Sequence, residues 1–439
     1  MPRLRDVSGD VPEAFVLLHS PRQFAMPKVN ALVGQSGGPT SVINASLAGV
    51  VETCLKARKI DKVFGMRFGI EGVLGDHLLD LGAESRAVLK ALRKTPSSAL
   101  GSSRLKLKEE HFAPVLEQLK KYNIRYYFMI GGNDTMDTIH RVCEYARSQG
   151  WEMTGVGVPK TVDNDLFGTD HTPGFASAAR FVATSVQQAG LLARDMQKVD
   201  QFVVFQTVGR SAGWLPAAAA CARQSAGDAP HIILFPERAF DRAAFLARVK
   251  EVHAERGFVS IVCGEGIRDA SGNPVSASTT RDKFNNVEFG AMGGTSAAMI
   301  LHRIISDEFG WRGEFQVTES LQMCAADRVV KRDIVEAYGC GRQAVRLALK
   351  GTGDVMVTID RVSKPGKPYR AEFGTIPLKE VANHERPMPD EYIAESGLDV
   401  TPAFLKYAAP LVGELPEYAR LKMVKAKPGP SRKAAPAAN

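Results

Sequence analysis

The chain has 439 residues, 44% of them hydrophobic and 24% charged, the balance of a globular protein large enough for two or three lobes. No apolar run reaches the roughly 18–20 residues that a membrane-spanning helix needs, and the N-terminus lacks a charged-then-apolar signal pattern, so a cytoplasmic location is expected. The net charge of +8 does not point to nucleic acid: six of the excess charges (Arg420, Lys422, Lys425, Lys427, Arg432, Lys433) lie in one acid-free tail, and the body is close to neutral.

Residues 1–25 fit poorly with the rest of the chain and are expected to be a disordered extension. From Met26 the pattern changes. Val29–Val33 reads as a buried strand, Gly34-Gln35-Ser36-Gly37-Gly38-Pro39-Thr40 as a glycine-rich turn, and Ser41–Leu55 as a helix. This is strand, phosphate-type loop, helix, but it is neither a Walker A loop nor a dinucleotide fingerprint. Gly34, Ser36 and Gly38 match the G-x-S-x-G of α/β-hydrolases, yet the turn comes after the first strand and no HGGG-type segment accompanies it. Met66–Leu74 holds a second glycine-bearing turn. Gly101-Ser102-Ser103-Arg104 is a polar loop in register with the others, which favours a phosphate contact for Arg104.

A helix at Ala113–Lys121 and a strand at Arg125–Ile130 lead to the central stretch, Met129–Leu166. There two strand-like runs each end in a polar turn, Gly131-Gly132-Asn133-Asp134-Thr135 and Pro159-Lys160-Thr161-Val162-Asp163-Asn164-Asp165. Carboxylates, carboxamides and a lysine thus gather at the carboxyl ends of two strands, the edge where open α/β sheets bind ligands. Glycines let backbone approach a phosphate, and carboxylates beside such a cradle suggest a divalent metal and a general base.

The alternation then continues. Helices are expected at Pro173–Met196, around Trp214–Ala222, and at Phe240–Arg256, Gly293–Ile305 and Lys331–Leu349. Strands are expected at Phe202–Gln206, His231–Phe235, Phe258–Cys263 and Val355–Ile359. Strands and helices at this spacing mean parallel α/β layers. The six cysteines are scattered, with no C-x-x-C, and read as core residues or free thiols.

With these motifs in order, from about Val29 to Gly413, the chain resembles the phosphofructokinases, most closely their pyrophosphate-dependent branch. The resemblance implies two Rossmann-like parallel-sheet lobes with the active site in the cleft between them. Residues 26–172, completed by parts of 318–420, would form the donor lobe; 173–317 would bind the sugar phosphate; 421–439 would be a disordered basic tail. It implies reversible, Mg²⁺-dependent transfer from pyrophosphate to the 1-hydroxyl of fructose 6-phosphate, by a homodimer or homotetramer.

By resemblance, Asp163 is the general base, with Thr161, Val162 and Asp163 beside the sugar. Asp165 and Thr161 would help hold the metal-bound phosphate, Asn133 the metal, and Gly38 and Arg104 the donor phosphate. Val208, Gly209, Arg210 and Glu265 would meet the sugar. ATP-using relatives have glycine where this chain has Asp134, and usually glycine where it has Lys160. Two like charges about 4 Å apart repel by roughly 4 kcal/mol at an effective dielectric of about 20, which sets Asp134 against the α-phosphate of ATP.

One departure leaves the acceptor open. Ser320-Leu321-Gln322-Met323 stands where relatives carry an arginine that grips the 6-phosphate. Arg328, Lys331 or Arg332 could substitute, a neighbouring subunit could donate an arginine, or the acceptor could be another sugar phosphate such as sedoheptulose 7-phosphate. An ATP-dependent enzyme and a non-catalytic regulatory subunit are the competing readings.

Overall fold

The computed structural model describes residues 28–103, 105–276, 295–363, 367–382 and 384–427. The expectations for residues 1–25, for Arg104 and for the tail beyond Lys427 fall outside the described residues.

The strands form two sheets, β1 (Val29–Gln35), β2 (Ile60–Met66), β3 (Leu78–Asp80), β4 (Ile124–Gly131), β5 (Thr154–Pro159), β10 (Val355–Arg361) and β11 (Ala371–Pro377) in one, in the order β11-β10-β5-β4-β1-β2-β3. The central pairs are parallel and the two edges antiparallel. The second sheet holds β6 (Phe202–Thr207), β7 (Ile232–Leu234), β8 (Val259–Gly264) and β9 (Gly313–Val317), all parallel, in the order β7-β8-β6-β9. The two Rossmann-like sheets agree with the fold expected from sequence.

Central strands read as continuous apolar runs because helices cover both faces of a parallel sheet. On one face of the first sheet Ala31, Val33, Phe128 and Ile130 meet Ile43, Leu47, Ala344 and Val345 from the helices Ile43–Cys54 and Lys331–Leu349. Those helices cross so closely that a Cβ at Gly49 would lie 2.3 Å from the Tyr338 carbonyl oxygen, and one at Gly341 2.2 Å from that of Ser46. Leu32, Tyr127 and Met129 face the other way, against Phe112, Val115, Met136 and Ile139. In the second sheet, Phe205, Ile233 and Val262 pack under the helices Phe175–Asp195 and Trp214–Ala218.

The chain leaves β1 towards β2 on one side, while β4 lies on the other. The loops after β1 and β4 therefore flank a topological switch point, which opens a crevice at the carboxyl ends of the strands. Asp333, fully buried at the start of the Lys331–Leu349 helix, caps the N-terminus of the Phe175–Asp195 helix. It accepts from Gly174 N (2.9 Å), Ser177 N (3.0 Å) and Ser177 Oγ (2.6 Å), joining a helix on one sheet to a helix on the other. A late helix, Pro402–Val412, buries Phe404, Tyr407, Ala408 and Leu411 in the core of the second sheet. Beyond it, Arg420 pairs with Asp228 at 2.7 Å, so the first residue of the basic tail lies on the body, while residues 421–427 are exposed and have no regular structure.

Candidate active site

The glycine-rich loop is fixed from both sides. Gln35, fully buried, donates to Asn44 Oδ1 (2.9 Å) and accepts from Leu100 N (2.9 Å), while Ser36 N donates to Ile130 O across to β4 (3.0 Å). Gly37 has φ +75°, and a side chain there would come within 3.1 Å of Lys160 Nζ. Lys160, 3% exposed, leaves the end of β5 with its backbone N bonded to Gly131 O (3.1 Å) and its ammonium to Gly38 O (2.7 Å). One lysine thus ties together the loops after β1, β4 and β5, with its charge beside the backbone that would cradle a phosphate.

Asn133 and Asp134 open the helix Asn133–Ser148. The Asn133 carboxamide oxygen accepts from Asp134 N (2.9 Å), and the Asp134 carboxylate, 64% exposed, lies 3.4 Å from Lys106 Nζ. Lys106 was not singled out from sequence, nor was Arg141, two turns further along that helix and paired with Glu109 (3.1 Å) and Asp137 (3.7 Å). A signal existed for Lys106, which stands two residues beyond Arg104 in the same basic loop. The exposure of Asp134 and its lysine neighbour reduce the repulsion expected from the sequence, because screening by water and a counter-charge moves the effective dielectric well above 20.

The acidic turn is held by short bonds. Thr161 Oγ1 accepts from Asp163 N (3.0 Å), and Thr161 O accepts from Thr172 Oγ1 (2.8 Å). Asn164, fully buried with φ +58°, sits in the left-handed conformation that asparagine tolerates; it donates to Tyr407 Oη (2.9 Å) and accepts from Thr172 N (3.0 Å). Its role is to turn the chain between Asp163 and Asp165. Asp163 is half-buried, and its enclosed Oδ1 has no hydrogen-bond partner among the described residues. Burial, then the charges of Asp165 and Glu265, push its carboxyl up to about 8, against the pull of Lys160 and Arg210. Asp165 is raised as well, by burial and by Glu385, opposed by a backbone amide, the Thr161 hydroxyl and Lys160.

Across the cleft, Val208, Gly209 and Arg210 come directly after β6, and Glu265 directly after β8. Arg210 Nε lies 3.9 Å from Glu265 Oε1, with Glu265 largely buried. The two loops pass so closely that a Cβ at Gly266 would fall 1.8 Å from Arg210 O. Gly38, Asn133, Asp134, Lys160, Thr161, Val162, Asp163, Asp165, Val208, Arg210 and Glu265 all line one cleft of about 1230 Å³. Gly209 does not line it; its φ of +118° shapes the bend that presents Arg210. Arg104 lies outside the described residues, but Ser103 and Leu105 line the cleft.

Met323 also lines the cleft, 3.5 Å from where a Cβ on Gly38 would be, beside Glu319 and Ser320. The basic residues offered as its substitutes do not reach the cleft within this chain. Short turns at 321–324 and 326–328 carry them away: Arg328 donates to Ser185 Oγ (2.6 Å) and covers Phe181, Arg332 donates to Pro410 O and covers Tyr369, and Lys331 is exposed.

No group of three or more His, Cys, Asp or Glu among the described residues could hold a metal by itself. The oxygen donors of Asn133, Asp134, Asp163 and Asp165 on one wall, with the unpartnered Asp163 Oδ1, nevertheless suit a hard cation that takes one or two carboxylates and completes its shell with substrate phosphates and water.

Two Rossmann-like sheets, a glycine cradle at the switch point and a cleft lined by that cradle, by Lys160 and by the half-buried Asp163 define an α/β phosphotransferase. Comparison with known proteins says which kind. The chain matches the phosphofructokinase family over residues 30–348 and belongs to it. It is 41% identical over 416 residues to the pyrophosphate–fructose 6-phosphate 1-phosphotransferase of Xanthomonas campestris pv. campestris, covering 91% of this chain and 97% of that one. It is 32% identical to the sulfofructose kinase of Alkalicoccus urumqiensis over 83% of this chain and 91% of that one. The crystal structure of a pyrophosphate-dependent phosphofructokinase from Nitrosospira multiformis superposes with a TM-score of 0.80 at 35% identity, covering 90% of this chain and 94% of that one. No helix among the described residues is long and apolar enough to cross a membrane.

Proposed function

We propose that the chain transfers a phosphoryl group from pyrophosphate to the 1-hydroxyl of fructose 6-phosphate, giving fructose 1,6-bisphosphate and phosphate, reversibly, in the cytoplasm and as a homodimer or homotetramer. The observation that carries the donor assignment is the pairing of a carboxylate, Asp134, at the mouth of the cleft with a buried ammonium, Lys160, on the glycine cradle. A bare pyrophosphate needs a fixed cation and no room for a nucleoside; the α-phosphate of ATP would meet Asp134.

In this reading residues 26–172 with parts of 318–420 bind the donor and 173–317 the acceptor. Gly38 presents backbone to the donor phosphate, Lys160 offsets its charge, and Arg104 and Lys106 extend the cationic side. Arg210 and Glu265 orient the sugar with Thr161, Val162, Val208 and Gly209. Asp163 takes the proton of the 1-hydroxyl as that oxygen bonds to phosphorus and the bridging P–O bond breaks, releasing phosphate. Mg²⁺, held through Asn133 with Asp134 and Asp165, would neutralise the donor phosphates when bound.

Met323 favours a second acceptor reading, in which the far end of the sugar differs and sedoheptulose 7-phosphate is used as well. A matrix of pyrophosphate and ATP against several sugar phosphates tests both. Turnover with pyrophosphate and fructose 6-phosphate supports the first, and a preference for a longer acceptor supports the second.

A further inference from the structure

Arg386 lies 222 residues from the acidic turn in sequence yet grips it more extensively than any other described side chain. Its Nε (3.2 Å) and Nη2 (2.7 Å) donate to Asn164 O, and its Nη1 donates to Asp170 O (2.8 Å) and to Thr169 O. Its backbone N donates to Asp165 O (2.7 Å), and the adjoining Glu385 bridges to Leu166. The other face of the guanidinium stacks on Trp214, 4.5 Å from the ring centroid, and Trp214 Nε1 returns a bond to Arg386 O (3.3 Å). Trp214, buried in the core of the second sheet, stands four residues after Arg210.

We propose that Arg386 is a positioning residue for phosphoryl transfer: its planar fork fixes the turn that carries Asp163 and Asp165 and ties that turn to the acceptor-side segment that presents Arg210. The proposal rests on the reading of Asp163 as the base. The turn needs such a brace. Its centre, Asn164, holds a left-handed conformation, and three carbonyls at 164, 169 and 170 converge on one point, so a single fork satisfies all of them. A lysine offers one point of charge on a flexible stem, with neither the fork nor the stacking plane. Tyr407 backs the arrangement, accepting from Asn164 and donating to Asp170 O (2.8 Å), but it touches neither Asp163 nor Asp165 through a bond.

The test compares Arg386→Ala and Arg386→Lys with Arg223→Ala, a control that removes a half-buried arginine bonded to Pro230 O (2.7 Å) and Asp399 (2.9 Å) rather than to the turn. Steady-state kinetics with pyrophosphate and fructose 6-phosphate, below the melting temperature of every variant, should show kcat lower by about tenfold to a hundredfold in both Arg386 variants, the scale of a misplaced reacting group. KM for pyrophosphate should change by a smaller factor than kcat, because Lys160 and the glycine cradle are anchored independently and Asp165 is the one donor-side group carried on the braced turn. Arg223→Ala should keep the kcat of the wild type even where its stability falls. A kcat within about twofold of wild type in either Arg386 variant, or an equal loss in Arg223→Ala, would overturn the proposal. If the wild type does not turn over this pair, the functional reading fails separately, and hydrogen exchange then decides the bracing. Amide protection at 160–170 lost in Arg386→Ala but kept in Arg223→Ala supports it, and unchanged protection overturns it.

Discussion

Replacing Asp163 by asparagine should make the protein more stable and nearly inactive. The residue is half-buried, its Oδ1 is enclosed and has no hydrogen-bond partner among the described residues, and its carboxyl is pushed up to about 8 by burial and by Asp165 and Glu265. An unfolded aspartate titrates near 3.9. The folded pKa is therefore the higher one, so the relative stability of the native state is full below about pH 4 and is lost as pH rises from there towards 8. By pH 8 the cumulative cost is on the order of 5 kcal/mol, at about 1.4 kcal/mol for each unit between the two values. The largest part of it is the burial of Asp163 itself and the rest is repulsion from Asp165 and Glu265, so a neutral amide at 163 relieves most of it, which raises Tm by a few degrees in a chain of this size.

The assay is thermal unfolding of both proteins in metal-free buffer at pH 5 and pH 8, paired with turnover at pH 8. Asp163→Asn should melt a few degrees above wild type at pH 8 and by a smaller margin at pH 5, and its turnover should fall by at least about a hundredfold, the usual scale of a general base. A variant less stable than wild type at pH 8 would refute the electrostatic account of the turn. Near-normal turnover would remove Asp163 from the chemistry.

Asp134→Gly should raise kcat/KM for ATP by about tenfold, since one exposed like-charge contact near 4 Å is worth between about 1 and 4 kcal/mol and the Lys106 pair draws it to the low end. Pyrophosphate use should fall in the same variant, whereas Lys160→Ala should lower pyrophosphate use without admitting ATP, as donor-resolved kinetics would show. Arg210→Ala should raise KM for the sugar phosphate about tenfold or more, the value of one charged hydrogen bond; an unchanged KM would take Arg210 out of the acceptor site. His171→Ala should cost about 2–3 kcal/mol in denaturant unfolding near neutral pH. Burial lowers the His171 pKa, but bonds to Asp170 and Glu336, both 2.9 Å, outweigh it and hold the ring charged, and its loss leaves the buried Glu336 without a cation while the half-buried Asp170 keeps Arg361 at 3.0 Å. As the folded pKa is raised, that contribution is complete at low pH and disappears as pH climbs through the folded value, so the cost should shrink in alkaline buffer.

The parallel core was legible because strands buried on both faces leave unbroken apolar runs, and each functional turn comes at the end of such a run: the glycine loop after β1, Asn133 and Asp134 after β4, Lys160 to Asp165 after β5. Edge elements left no such trace. β9 is half-exposed, β11 pairs at the margin with exposed residues along it, and the helix Pro402–Val412 is short and contains Pro410. The contacts that hold the site together were invisible for another reason. Arg386 and Tyr407 act on backbone and side-chain atoms more than 200 residues away, and a side chain bonding to distant carbonyls imposes no period on the sequence around it. Arg328 and Arg332 show the converse error, since nearness in sequence to Met323 placed them near the acceptor, while two short helical turns direct them elsewhere.

The central claim is that the donor is pyrophosphate, and the wild-type protein tests it most directly. kcat/KM should be measured for pyrophosphate and for ATP with fructose 6-phosphate and Mg²⁺ present. The account predicts turnover with pyrophosphate and little or none with ATP, because in the proposed reading Asp134 would meet the α-phosphate and Lys160, bonded to Gly38 O, would serve a bare diphosphate. Efficient use of ATP by the wild type would contradict it.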